Sequence, residues 1–151
     1  MMNTTYHYTE CGLDNIYLLN GFKFIETPRG KAVSIRDVDG LHKAIGLQLV
    51  TLKKDFSADD VNFLRNEMLM SQKTLATLLG VSEQAIQRWE KGKTRIPKPS
   101  ESLLRLLYRD HVKDKEGKIA NILKQIAHLE EEMEETKLLF KETKNGWQSA
   151  A

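Results

Sequence analysis

Residues 71–99 read SQKTLATLLGVSEQAIQRWEKGKTRIPKP. Gly80 divides two short helical stretches, and a serine stands ahead of each. Ser71 and Ser82 are N-cap residues, because a serine oxygen can accept the free backbone N–H groups of a first helical turn. Gly80 falls where a sharp turn needs positive φ. Leu75, Ala76 and Leu79 share the inner side of the first stretch, and Ala76 is small enough for a second helix to cross closely. Val81, Ile86 and Trp89 face inward from the second stretch, with Val81 and Ile86 spaced as a hydrophobic staple. Gly92 ends that helix. Apolar, small and glycine positions at these spacings describe a helix-turn-helix.

The outer face of the second helix carries the functional signal. At 3.6 residues per turn, Ile86, Trp89 and Glu90 fall on one side, and Gln84, Arg88 and Lys91 on the other, flanked by Gln87. Gln84 and Arg88 are four apart and therefore neighbours. Gln pairs bidentately with adenine and Arg with guanine in the major groove, which is the equipment of a recognition helix. The plainer alternative is a solvated face of ordinary helix formers. It is outweighed because the glutamines come with a helix-turn-helix core and a cationic loop. In that loop Lys91, Lys93, Thr94 and Arg95, with Lys98 beyond, are suited to phosphates, which add affinity without sequence choice. Gln72, first in its helix, can donate to a phosphate beside the free N–H groups of its turn, and Ser82 stands at the N-cap of the next helix as a second phosphate candidate.

The longer run LRNEMLMSQKTLATLLGVSEQAIQRWEKGKTRIPKP resembles the helix-turn-helix of Cro/C1-type (XRE) transcriptional regulators, over about residues 60–108. The resemblance implies a five-helix domain that binds operator DNA, usually as a homodimer. It implies that Arg65 and Glu90 form a structural ion pair, and that Ser82, Glu83, Gln84, Gln87 and Arg88 occupy recognition-helix positions. Gln84 and Arg88 match the base-reading positions of the MqsA-type antitoxin helix. The segments YTECGLDNIYLLNGF and GKAVSIRDVDGLHKAIG are similar to the N-terminal part of the same group. Those proteins hold zinc there with four cysteines. This chain has one, Cys11, and His7 and His42 do not complete a tetrahedral set, so no metal and no cofactor are expected.

Around this centre the chain reads as an α+β protein in three segments. Residues 1–56 form a small α+β unit: IYLL, FKFIE and AVSI suggest a three-strand meander, turned at Asn20-Gly21 and at TPRGK. A helix with Leu41, Ala44, Ile45 and Leu49 inward would cover it. Residues 57–110 form the all-α helix-turn-helix domain. Ser57 and Asp60 make a capping box, and Val61, Leu64 and Met68 a buried stripe. Pro97 and Pro99 delay a last helix to about 100–110, with Leu103, Leu104, Leu107 and Tyr108. Residues 111–144 read as one long polar helix. Ile119, Ile122, Ile126, Leu129, Met133, Thr136 and Phe140 alternate steps of three and four, the stripe of a coiled coil or of a helix docked on its own domain. Residues 145–151 read as a tail.

Charge is uneven. The chain is only +2 overall, but residues 61–110 hold nine basic and five acidic side chains, the footprint of a nucleic-acid binder. One cysteine excludes an internal disulfide and fits a cytoplasmic setting; no apolar run reaches the roughly 18 residues of a membrane span. An enzyme is not expected: there is no phosphate-binding glycine loop, no HExxH and no Cys-x-x-Cys, and RDVDG at 36–40 reads as a turn. The expected function is a sequence-specific DNA-binding regulator, a repressor and candidate autoregulating antitoxin. Its partners would be double-stranded DNA, a second copy, and a toxin or other protein through residues 1–56. The alternative is a protein-interaction module that keeps the helix-turn-helix as scaffold.

Overall fold

The structure, a computed structural model, describes residues 5–114, 117–129 and 138–150. It is a mixed α+β protein with a helical centre. Two short strand pairs open the chain: β1 (Tyr6–His7) with β2 (Tyr17–Leu18), and β3 (Phe22–Thr27) with β4 (Gly30–Ile35), each antiparallel. Six helices follow: α1 (Val38–Leu52), α2 (Ala58–Glu67), α3 (Gln72–Leu79), α4 (Glu83–Glu90), α5 (Lys98–Lys113) and α6 (Lys118–Leu129). A last hairpin pairs β5 (Phe140–Thr143) with β6 (Gly146–Ser149).

The N-terminal strands do not form the expected meander. β2 pairs back onto β1, and β3 pairs only with β4. The two runs face different partners. Leu18 is buried in the core with Tyr8, Leu13, Ile45 and Leu49, whereas Phe22 and Phe24 gather on the Tyr6 ring. Asn20-Gly21 therefore redirects the chain between two pairs, with Gly21 at φ 80°. The second turn does close a hairpin, with Thr27 Oγ1 donating to the Gly30 carbonyl. Asp37 of RDVDG is the N-cap of α1 and accepts from the Gly40 N–H at 3.1 Å.

Helix α1 lies on α5 and α2. Its buried residues are Ile45, Gly46, Leu49 and Val50; Ala44 is exposed, contrary to expectation. Gly46 is where the Tyr108 ring crosses, so close that a Cβ there would meet the phenol group. Burial of that ring, with the Glu67 carboxylate nearby, pushes the Tyr108 hydroxyl up to about 12. Two side chains of α5 tie α1 down. Arg105 donates to the carbonyls of Leu49, Val50, Lys53 and Lys54 at and just past the end of α1, where Leu49 also accepts the Lys53 N–H and Lys54 the Lys98 ammonium. Glu101, 4% exposed, accepts the Phe56 N–H at 2.9 Å.

Three corrections concern the helices. Four, not five, lie between 57 and 113, and α1 and α6 complete the bundle around them. Helix α5 starts at Lys98 and not near 100, with Pro99 in its first turn, where a missing N–H costs nothing. Residues 111–144 are not one helix. The chain breaks after Lys113, Gly117 takes φ 67°, and α6 ends its described course at Leu129. Phe140 lies in a strand and not on a heptad stripe, and the supposed tail forms β6. Met133 and Thr136 lie outside the described residues. Ile119 packs on the core, while Ile122, Ile126 and Leu129 stay 51–66% exposed. Asn-Gly at 145–146 forms the tight turn that outcompetes helix propensity there, since Gly146 takes φ 101°.

Candidate nucleic-acid interface

Both helices of the central motif start on a serine whose side chain accepts the N3 N–H: Ser71 from Thr74 at 3.0 Å and Ser82 from Ala85 at 3.2 Å. Helix α2 starts on a complete capping box, Ser57 with Asp60. The turn at Gly80 (φ 69°) is a Schellman end, with Val81 N–H on the Ala76 carbonyl and Gly80 N–H on Thr77. Gly92 (φ 73°) ends α4 the same way, sending Lys93 N–H to Arg88 and its own N–H to Trp89. The geometry of α4 is thus set at both ends by local chemistry.

Packing then fixes its rotation. Ile86 and Trp89 are buried against Leu75, Ala76 and Leu78 of α3 and Val61, Phe63 and Leu64 of α2. Leu78 and Phe63 are core residues that the inward stripes did not include; Leu79 is only half-buried. With that face inward, Glu83, Gln84, Arg88 and Lys91 are exposed and Gln87 half-buried.

Glu90 closes the arrangement. Arg65 of α2 donates to both of its oxygens, Nε to Oε2 at 2.6 Å and Nη2 to Oε1 at 2.8 Å. Asn62 of α2 and Gln72 of α3 donate to Oε1 at 2.8 and 3.2 Å. Arg65 Nη1 also donates to the Met70 carbonyl at 2.9 Å, in the α2–α3 loop. One carboxylate therefore joins three helices behind the exposed face. Burial works to raise the Glu90 carboxyl, but hydrogen bonds from Arg65, Asn62 and Gln72 outweigh it and hold it below its ordinary value. The hydrogen bond to Glu90 raises Arg65 in turn. Asn62 lies three residues before Arg65 on the same helical face, a spacing that could have identified it.

The cationic loop divides. Lys91, Lys93 and Thr94 are exposed. Arg95 is 80% exposed in its side chain, with Asp55 at 3.6 Å. Lys98 turns away and donates to Asp55 at 2.6 Å and Glu101 at 3.1 Å. Gln72 uses one amide proton on Glu90 and keeps the other. Ser82 is exposed at the N-terminus of α4. The two imidazoles of the N-terminal unit are engaged: His7 with the Asp14 carbonyl, and His42 between the Tyr8 hydroxyl and Glu67 of α2.

Residues 63–104 match the helix-turn-helix family model. The match begins inside α2 and ends inside α5, and so takes in the whole motif with the Arg65–Glu90 clamp. Over that segment the central domain has the architecture of a helix-turn-helix family, whose model describes a DNA-binding regulatory domain and not an enzyme, and this supports a DNA-binding domain here. The matched segment is under a third of the chain, and residues 1–62 lie outside it. No curated protein and no solved structure matches the chain. Among the described residues, no helix is long and apolar enough to cross a membrane.

Proposed function

We propose that the chain is a sequence-specific transcriptional repressor that reads operator DNA with the outer face of α4 and acts as a homodimer. Gln84 and Arg88 are the base readers, with Glu83 and Gln87 beside them. Lys91, Lys93, Thr94, Arg95, Ser82 and the spare amide proton of Gln72 take the phosphates. The observation that supports this most is the exposed row Gln84, Arg88, Lys91 on a helix locked in rotation by the Arg65–Glu90 clamp. A preset helix loses little freedom on docking, so its contacts appear as affinity and specificity. The test is fluorescence anisotropy with duplex DNA from upstream of the chain's own gene, against a scrambled duplex at equal salt. Arg88→Ala should cost roughly 1–3 kcal/mol on the cognate duplex and relax preference at one base pair. Equal binding to both duplexes would end the base-reading assignment.

A second role, as the autoregulating antitoxin of a toxin–antitoxin pair, has a specific feature in its favour. A groove of about 480 Å³ runs between β2 and α1, lined by Ile16, Tyr17, Leu18, Leu41, Ile45 and Leu49. Tyr17 is 58% exposed at its edge, as suits a protein contact. Tyr17→Ala should weaken binding of the neighbouring gene's product and leave DNA binding intact. Unchanged binding of that product would remove the groove from the interface.

A further inference from the structure

We propose that two copies of the chain close on each other through their C-terminal ends, the β5–β6 hairpin of one packing its aromatic face on the outer face of α6 of the other. This rests on the homodimer reading above and names its surface.

The hairpin has two unlike faces. Its register sets Phe140 opposite Ser149 and Glu142 opposite Trp147. Directly paired residues and residues two apart share a face, so Phe140 and Trp147 lie together as diagonal neighbours. Lys141, Gln148 and Thr143 occupy the reverse face. Phe140 is 60% and Trp147 70% exposed, and Leu138 just ahead of β5 is 76% exposed. A two-stranded hairpin is marginal in water unless its apolar face is covered by further strands or a helix. Among the described residues nothing covers this one.

Helix α6 offers the complement. Ile119 and Leu123 pack inward on the core, and Ala120 is buried. Ile122, Ile126 and Leu129, at steps of four and three, line the exposed flank beside that face at 54%, 51% and 66% exposure, with Ile126 at the border of the groove over α3. Hairpin and helix face thus sit on one chain, the first aromatic with Glu142 and Ser149 beside the rings, the second aliphatic, and both exposed among the described residues. Exchange between two copies makes two equivalent hairpin-on-helix contacts, an isologous arrangement that closes and does not propagate. Large apolar side chains of about 150–250 Å² at these exposures offer on the order of 700 Å² per copy, close to the roughly 800 Å² per partner of a stable interface.

The experiment is sedimentation equilibrium of the full chain over a concentration series, with two double variants. Phe140→Ser with Trp147→Ser disables the hairpin, and Ile122→Asp with Ile126→Asp disables the helix face. Each alone should weaken dimerisation by roughly thirtyfold or more. Mixed one to one, they should recover a dimer tighter than either forms alone, because the intact helix of one meets the intact hairpin of the other. Emission from the buried Trp89, the remaining tryptophan in the first variant, checks that the core stays folded. No recovery on mixing overturns the exchange, since hairpin-on-hairpin or helix-on-helix packing gives none. Variants that dimerise like the wild type overturn the surface and leave the homodimer standing. A monomeric wild type overturns both.

Discussion

Replacing Glu90 with alanine removes the one acceptor that α2, α3 and α4 share. The wild-type carboxylate takes two hydrogen bonds from Arg65 and one each from Asn62 and Gln72. Its side chain is 5% exposed and that of Arg65 13%. Without it, a nearly buried guanidinium keeps only its bond to the Met70 carbonyl, and the NH2 groups of Asn62 and Gln72 lose their acceptor. Orphaning one member of a buried pair costs about 3–5 kcal/mol, a large part of the 5–15 kcal/mol that holds a typical domain together. Urea unfolding should show it directly: at about 2 kcal/mol per molar, the midpoint falls by about 1.5–2.5 M. The pH dependence gives a second, independent check. Because the folded-state carboxyl lies below its ordinary value, its contribution is whole above the ordinary carboxylate range and is lost as pH falls through the depressed value. The gap between wild type and Glu90→Ala should therefore narrow on acidification. A gap below about 1 kcal/mol at neutral pH, or one that stays constant into acid, would refute the clamp as an energetic element.

Other perturbations test separate parts of the molecule. Leu69 takes φ 56° while 91% exposed, so Leu69→Gly should relieve left-handed strain and raise stability by roughly 0.5–1 kcal/mol in a thermal melt. Gly46→Ala forces a methyl group onto Tyr108 and should cost about 1–3 kcal/mol by the same assay. Arg105→Ala removes one guanidinium from four carbonyls at and past the end of α1, two of which keep another donor, and hydrogen exchange should quicken in residues 38–53 more than in α3 and α4. Neutralising Lys93 should lower the salt slope of DNA binding by about one on every sequence, and an unchanged slope would take it off the phosphate backbone.

The helix-turn-helix was legible because its determinants are local. Ser71 and Ser82 cap through N–H groups three residues on, and Gly80 and Gly92 turn the chain through bonds spanning a few residues. Helical periodicity then sorts Ile86 and Trp89 inward and Gln84 and Arg88 outward without reference to any other element. Where partners are distant in sequence, legibility failed. Lys98 was assigned to the cationic loop, yet it pairs with Asp55 across 43 residues. The hold of Arg105 on α1 spans up to 56 residues and rests on backbone carbonyls, which leave no residue-type signal.

What the sequence determined by itself was the unit whose energetics are short-range: caps, turns, the amphipathic sides of α2 to α4, and the exposed row on α4. The tertiary structure decided which of several local options prevailed. A stripe at 119–140 satisfies a coiled-coil rule on paper, but its residues from Ile119 to Leu129 lie on a docked helix, and Phe140 opens a hairpin closed by the Asn145-Gly146 turn. Periodicity cannot say where a pattern ends when both halves are apolar on one side. The strand runs at 16–35 were equally ambiguous, since pairing depends on which surface each buried side chain can reach. Leu18 reaches the α1 core and Phe22 reaches Tyr6 of β1, contacts between elements that strand periodicity alone does not pair.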